Sequence, residues 1–195
     1  MKAKTIAGFV VTCVGDDLAY SLLRSRLGNS LADKAALAIL RSEHPDFIEY
    51  PFLDRGSDER QYGAPGCDLP VVSVMRTKYG IYPEYHTSLD NLSLVTPGGL
   101  AGALDVYKKI VLLLERNHSY QVTCLGEPQL GKRGLYPTIS QKGSTDNEIR
   151  TMMNLIAYCD GRHDLIDIAD KINVPVGELY EVADKLVNAG LLVTT

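Results

Sequence analysis

The segment YPEYHTSLDN, residues 82–91, places a histidine among carboxyl and hydroxyl side chains. Such a set could bind a metal, because zinc in proteins takes imidazole nitrogen together with carboxylate oxygen. Asp90 follows His86 by four residues and could orient the imidazole ring through a hydrogen bond. Taken alone, the segment is better explained as a loop in which these polar groups satisfy turn backbone.

The composition limits the classes of protein to consider. The 195 residues are 45% hydrophobic with a net charge of −4, which suits one or two folded domains and gives no overall basic charge for nucleic acid. No apolar run reaches the roughly 18–20 residues of a membrane span, and the start of the chain reads as a strand rather than a signal peptide. The four cysteines form no CxxC pair, so we expect reduced thiols in a cytoplasmic protein.

The first part of the chain alternates predicted strands and helices. The apolar patterns predict strands at 5–15, 46–52, 69–75 and 120–126, and helices at 29–40 and 98–116. Such alternation predicts an α/β domain with a mixed or parallel sheet. The polar loops 54–68 and 76–91 lie on either side of the predicted strand at 69–75. In α/β sheets, ligands bind at the loops that leave the strand ends.

A second domain is indicated by a shift in charge. From residue 145 onward nine acidic side chains face four basic ones, and the shift follows a Gly- and Pro-rich stretch. We therefore predict domains at 1–126 and 145–195 with a linker at 127–144. Helices at 146–161, 164–174 and 175–190 and a closing strand give the order of a winged helix-turn-helix domain.

The third helix of that second domain has the wrong charge for reading DNA. Phosphate neutralisation dominates DNA affinity, yet this helix carries Glu178, Glu181 and Asp184 against Lys185 alone. We therefore predict that the domain serves protein contacts or packing rather than DNA binding.

Two motifs together resemble a known enzyme family. EYHTSLDN (residues 84–91) resembles the segment that supplies the last histidine ligand in zinc aminopeptidases of the bacterial leucyl type and in their glutaminyl cyclase relatives. GSDERQYGAPGCDLPVVSVM (residues 56–75) resembles their upstream SD element and the strand after it. The longer stretch that runs through both motifs, residues 57–92, together with GEPQLGKRGLYP (residues 126–137), resembles a narrower family. Its members are bacterial proteins with an aminopeptidase-like domain, labelled polysaccharide biosynthesis proteins, whose chains also end in a winged helix.

The resemblance implies roles for four residues. It implies that His86 is a metal ligand and that Asp90 orients it. It implies that Asp58 lies beside the metal and bonds the catalytic acid, with its neighbour Glu59 as a weaker candidate for that catalytic position. On this basis we expect Asp58 and His86 to face one cavity.

The chain departs from the family pattern at the other ligands. The family's early histidine, bridging aspartate and glutamate base have no counterparts, and the strand-end position holds Thr12 or Cys13, with Asp16 the nearest acid. The fold class expected is therefore α/β: a partial zinc-aminopeptidase-like sheet domain followed by a small winged helix. We expect zinc to be weakly bound or absent in this fragment, because catalytic zinc needs about three protein ligands.

Two functions remain open. The chain is either the C-terminal part of a zinc-dependent aminopeptidase-like hydrolase, inactive alone on a peptide-like substrate, or a non-catalytic assembly module linked to polysaccharide biosynthesis. In either case the expected partner is the missing N-terminal half or a second copy, since a severed sheet exposes a strand edge. His44, His118 and His163 are expected at the surface, His44 as a cation at a helix end.

Overall fold

The structure is a computed structural model that describes residues 2–135 and 144–195, with side chains described from residue 147 in the second range. The chain divides into two compact units, Met1–Leu112 and Leu113–Thr195. Within the described residues, no helix is both long enough and apolar enough to cross a membrane.

The first unit is built on a mixed four-stranded sheet. Its strands are β1 (Gly8–Val10), β2 (Ser21–Leu23), β3 (Ile48–Tyr50) and β4 (Val71–Met75), in the order β1-β4-β2-β3. β1 runs parallel to β4 and β2 parallel to β3, while β2 and β4 are antiparallel. All five residues of β4 are buried, as expected for a central strand. The mixed sheet confirms the predicted α/β class.

Three helices accompany this sheet: α1 (Leu31–Glu43), α2 (Glu59–Tyr62) and α3 (Pro97–Arg116). Ser30 and Asp33 form a reciprocal capping box that fixes the start of α1. The Thr96 hydroxyl accepts a hydrogen bond from the Gly99 N–H at 2.9 Å, which fixes the start of α3. Both helix starts lie within about two residues of the predicted ones, because caps are local sequence signals.

The predicted strand at 5–15 is largely wrong in extent. Only Gly8–Val10 pairs within the sheet, and the chain then leaves it. The sequence also gave no sign of β2, whose three residues are all buried at the sheet centre. A three-residue strand is too short to produce a readable alternation, so only its pairing with two neighbours defines it.

The second unit combines three helices with a three-stranded antiparallel sheet. Its elements are β5 (Ser119–Val122), α4 (Ser144–Tyr158), β6 (Asp160–Asp164), α5 (Leu165–Ile172), α6 (Val176–Asn188) and β7 (Leu192–Thr194). The strand order is β6-β5-β7. Leu155, Ile168, Leu179 and Leu186 are fully buried between the helices. This arrangement confirms the predicted winged helix-turn-helix unit.

Two details of the second unit correct the sequence analysis. The predicted strand at 120–126 was placed in the first sheet, whereas β5 pairs with β6 and β7. Residues 160–164, predicted to contain the end of one helix and the start of the next, are strand β6 instead. The residues of a strand do not show which strand it pairs with, so neither error could be detected from the local sequence. The predicted linker at 127–144 lies partly outside the described residues; its described part contains a short turn in which Leu130 is buried.

Candidate functional site

His86 lines a cleft of about 360 Å³ in the first unit. Three stretches form the cleft: residues 12–16 after β1, residues 82–90 of the histidine loop, and residues 94–100 leading into α3. Asp90 and Asp16 belong to the same lining, together with the Cys13 thiol. The loop that the sequence singled out therefore meets the end of β1, as expected for a site at the strand ends of an α/β sheet.

The backbone of this cleft is held in an unusual conformation at two points. His86 has φ +60° and Cys13 has φ +48°, both in the left-handed region that side chains other than glycine seldom adopt. They are two of only four such non-glycine residues in the described ranges. Backbone strain of this kind costs on the order of 1–3 kcal/mol and tends to persist at functional sites. Two residues with such strain line the same cleft, which supports a functional role for that cleft.

Aromatic rings position the imidazole. Tyr85 stacks on His86 with ring centroids 4.0 Å apart and planes inclined by 17°. Tyr82 meets Tyr85 edge-on at 5.7 Å and donates a hydrogen bond to the Cys13 sulfur at 3.5 Å. Burial, reinforced by that thiol, raises the pKa of Tyr82 above its ordinary value, so the phenol keeps its proton. Tyr82 is thus a neutral donor that ties the histidine loop to the end of β1.

Asp16 is buried and already saturated with hydrogen bonds. Its carboxylate accepts from the Thr77 hydroxyl at 2.6 Å and from the N–H groups of Thr77 and Leu18 at 3.0 Å. These bonds join two loops that are 61 residues apart in the chain. Asp16 therefore acts mainly as a structural tie beneath the cleft, with little free acceptor capacity.

The donors in the cleft are too few to complete a catalytic zinc site. Among the residues that the structure describes, no group of three His, Cys, Asp or Glu side chains is placed to hold one metal ion. His86 is exposed and offers one imidazole, and Asp90 lies exposed in the same lining. An open zinc site needs about three protein ligands. The described residues could therefore contribute one ligand, His86, to a zinc site, but they cannot form a complete site by themselves.

Asp58 and His86 do not share this cleft. Asp58 is exposed at the start of α2, makes no capping hydrogen bond, and is absent from the lining that contains His86 and Asp90. The lining of this cleft therefore does not bring together the two residues that were expected to face one cavity. The position of Asp58 in the motif placed it near the histidine loop, but the direction of its side chain was not readable from spacing.

The carboxylate that makes hydrogen bonds within the fold belongs to the adjacent residue, Glu59. Glu59 is fully buried, and one of its oxygens accepts from the Tyr79 hydroxyl at 2.6 Å and from the N–H groups of Gly56 and Ser57 at 2.8 Å. The other oxygen accepts from the Ser73 hydroxyl at 3.1 Å. Burial alone would raise the pKa of Glu59, but these donors outweigh it and hold the pKa below its ordinary value.

The Glu59 network reaches the histidine loop through aromatic packing. Burial and the carboxylate raise the pKa of Tyr79, so its hydroxyl stays protonated and donates to Glu59. The Tyr79 ring lies 6.3 Å from Tyr85, which stacks on His86. Sequence reasoning missed Tyr79 and Tyr82 as parts of this site. Their only signal was an excess of tyrosine on either side of Gly80.

The remaining histidines lie outside the cleft. His118 is exposed, and His163 is half-buried with Nδ1 3.0 Å from an Asp160 oxygen. His44 ends α1 but is half-buried and stacked on Tyr20 at 3.8 Å. Burial lowers the pKa of His44, which opposes the expectation that it serves as a cation at the helix end.

Comparison with known proteins agrees with both units. Residues 1–117 match the family described as a domain of unknown function, DUF4910, and residues 118–194 match the winged helix-turn-helix family. A Clostridium acetobutylicum protein, provisionally named a polysaccharide biosynthesis protein with an aminopeptidase-like domain, is 36% identical over 98% of this chain and 44% of its own length. The chain thus spans less than half of that relative.

A solved structure agrees with the fold of the described residues. The crystal structure of a C. acetobutylicum protein that carries the provisional name peptidase superposes with a TM-score of 0.86. It is 33% identical in sequence and is matched over 97% of this chain and 42% of its own chain. The resemblance inferred from the two motifs is confirmed at the level of the family and the fold. The chain belongs to the DUF4910 family, joined to a winged helix-turn-helix domain, and resembles one relative that is named for an aminopeptidase-like domain.

Proposed function

We propose that this chain is the histidine-bearing part of a zinc-dependent, aminopeptidase-like hydrolase. The observation that carries the proposal is the cleft in which His86, held in the left-handed conformation, lies with Asp90 and Cys13. Zinc bound in such a site would supply an activated water for attack on an amide bond. The relatives named for an aminopeptidase-like domain and a peptidase support this reaction class.

The chain's own residues have separable tasks in this proposal. His86 offers the imidazole, Tyr85 fixes the plane of that ring by stacking, and Asp90 orients it. Leu94, Val95 and Leu100 line the apolar side of the cleft and suit the side chain of a peptide-like substrate. The remaining ligands and the general base must come from residues beyond the described ones, so the chain alone is proposed to be inactive.

Zinc content tests this proposal. We expect the 195-residue chain to retain little zinc after dialysis, because one imidazole leaves the ion mostly hydrated. A chain extended with the segment of the Clostridium relative that lies outside the match should retain about one zinc ion per chain. In that extended chain His86→Ala should abolish stoichiometric zinc, and Asp90→Asn should weaken zinc binding about tenfold to a hundredfold.

The matched control is His118→Ala, which removes an exposed histidine from the other unit and should leave zinc content unchanged. Stoichiometric zinc in the unextended chain would overturn the proposal that the site is incomplete. Full zinc in the extended His86→Ala variant would overturn the assignment of this histidine.

A second candidate function is an assembly module without catalysis, and the surface of α6 favours it. Glu178, Glu181 and Asp184 are exposed along α6. Asp184 is paired with Arg116 at 2.6 Å, and the single base of the helix, Lys185, is paired with Glu148 at 2.6 Å. This acidic face would repel a phosphate backbone and suits a basic protein partner. Such a partner would explain a link to polysaccharide biosynthesis through assembly rather than chemistry.

The acidic face of α6 makes a direct prediction about DNA. The full chain should not retard duplex DNA in a gel at about 50 mM salt, because no basic surface on α6 can release counterions from the phosphates. The double variant Glu178→Lys, Glu181→Lys should show more retardation than the wild type at the same salt. Tight, salt-sensitive retardation by the wild-type chain would contradict the prediction.

A further inference from the structure

Arg76 is a buried cation whose Nε–H has no hydrogen-bond partner among the described residues. The residue is only 7% exposed and follows β4 directly. A guanidinium has five N–H donors, and the buried Nε–H of Arg76 has no hydrogen-bond partner among the residues that the structure describes. Its one charged neighbour is Asp17, at 3.7 Å, whose side chain is half exposed and also bonded to the Thr96 hydroxyl.

A buried guanidinium with an unpartnered N–H group is costly, so its position needs a reason. Leaving one buried donor unsatisfied costs about 1–3 kcal/mol, and more when the group is charged. Native proteins therefore pair nearly all such groups with protein, water or a ligand. For comparison, Arg24 in the same unit is paired with Asp33 at 2.8 Å and with Glu49 at 2.6 Å. Arg76 is paired less closely, with Asp17 at 3.7 Å, and its Nε–H is left without an acceptor among the described residues.

Ring stacking holds the Arg76 side chain in one orientation. The guanidinium carbon lies 3.8 Å from the centre of the Tyr20 ring, and Tyr20 in turn stacks on His44 at 3.8 Å. Stacking occupies the flat face of a guanidinium and does not use the N–H groups on its edge; of these, Nε–H has no partner among the described residues. Gly102 makes room for the arrangement, because a Cβ there would lie 2.5 Å from the Tyr20 hydroxyl and 3.1 Å from Arg76 Nη1.

A cleft of about 480 Å³ gives access to this group. Arg76, Tyr20 and His44 line it, together with the apolar side chains of Pro45 and Phe47. None of its lining residues belongs to the cleft that contains His86. The site therefore stands apart from the proposed metal-binding position and does not depend on it.

We propose that this second cleft binds the carboxylate of a small organic acid through the edge of the Arg76 guanidinium. Arginine and a carboxylate match in a planar, two-bonded geometry. The apolar body of the acid would pack against Pro45 and Phe47. Glu43 and Asp46 also line the cleft; Glu43 is neutralised by Lys109 at 2.5 Å, whereas Asp46 has no ion pair among the residues that the structure describes. One cation beside a remaining carboxylate favours a monoanion over a phosphate dianion.

Titration with sodium propionate tests this site on the 195-residue chain. At constant ionic strength, the NMR signals of the Tyr20 and His44 rings should shift and saturate with a Kd on the order of 1 mM. Arg76→Met keeps much of the side-chain volume without the charge and should weaken binding at least about tenfold. Arg26→Met removes the same charge from an exposed pair with Asp68 and should leave the Kd unchanged.

The outcomes separate the alternatives. Shifts that do not saturate, or that are equal in Arg76→Met and Arg26→Met, would overturn the proposal. Inorganic phosphate binding more tightly than propionate would overturn the choice of carboxylate. Gly102→Ala gives an independent check, because its methyl group crowds Tyr20 and Arg76; it should weaken propionate binding even though alanine favours a helix.

Discussion

Glu59→Ala is expected to destabilise the chain by about 3–5 kcal/mol. The substitution leaves a cavity in a fully buried position and removes the acceptor for four donors, from Gly56, Ser57, Ser73 and Tyr79. Each buried donor without a partner carries a desolvation cost, so the loss exceeds that of the side-chain volume alone. Urea denaturation followed by circular dichroism measures the change in the free energy of unfolding.

Glu49→Ala is the matched control for that experiment. Glu49 is exposed and makes one ion pair, with Arg24, so its loss should cost less than about 1 kcal/mol. If Glu59→Ala costs no more than Glu49→Ala, the hydrogen-bond network around Glu59 does not stabilise the fold.

The Glu59 network also predicts a dependence on pH. The pKa of Glu59 is lowered in the folded chain, so its stabilising contribution is complete above the ordinary carboxyl pKa and is lost as the pH falls through the lowered one. Glu59→Gln cannot ionise. The difference in stability between wild type and Glu59→Gln should therefore be largest near neutral pH and shrink below about pH 4. A difference that is constant from pH 7 to 3 would refute the ionised, hydrogen-bonded state of Glu59.

Substitution of Glu59 should also alter the surroundings of His86 in the histidine loop. Tyr79 is held by Glu59 and packs on Tyr85, which stacks on His86. In the milder Glu59→Gln variant, which keeps one acceptor oxygen, we expect the imidazole signals of His86 to shift while those of His118 stay in place. This contrast separates a local effect on the cleft from global unfolding.

Gly99→Ala is expected to be the most damaging single methyl group that can be added near the cleft. Its Cβ would lie 2.6 Å from the Asp16 carbonyl oxygen and nearer still to the Gly15 carbonyl group. These are backbone atoms and cannot rotate away, so either α3 or the segment at Gly15 must move. We expect a loss of at least about 3 kcal/mol, at the upper end of the cost of overpacking.

Gly177→Ala gives the matched control on another helix. A Cβ at Gly177 meets nothing within 4 Å, so alanine should be neutral or raise stability by up to about 1 kcal/mol through its better helix propensity. Urea denaturation of the two variants gives the comparison. Similar effects for both would mean that α3 does not pack against Gly15 as closely as the structure places it.

The sequence alone was sufficient for features that depend on neighbours in the chain. The starts of α1 and α3, the buried strand β4 and the helical order of the second unit follow from caps and periodic apolar residues. The two motifs also identified the family, because the order of residues within a motif is itself a local property. Asp90 and His86 could be grouped for the same reason, being four residues apart and in one cleft.

The tertiary structure decided which groups meet across the chain. β5 looks like any short strand, and only its pairing with β6 and β7 assigns it to the second unit. Glu59, rather than Asp58, is the engaged carboxylate because the short helix α2 turns one side chain inward and its neighbour outward. The bond between Glu59 and Tyr79 depends on burial and on contacts between distant residues, as does the unpartnered Nε–H of Arg76 among the described residues. Such contacts arise from packing, which no spacing in the sequence records.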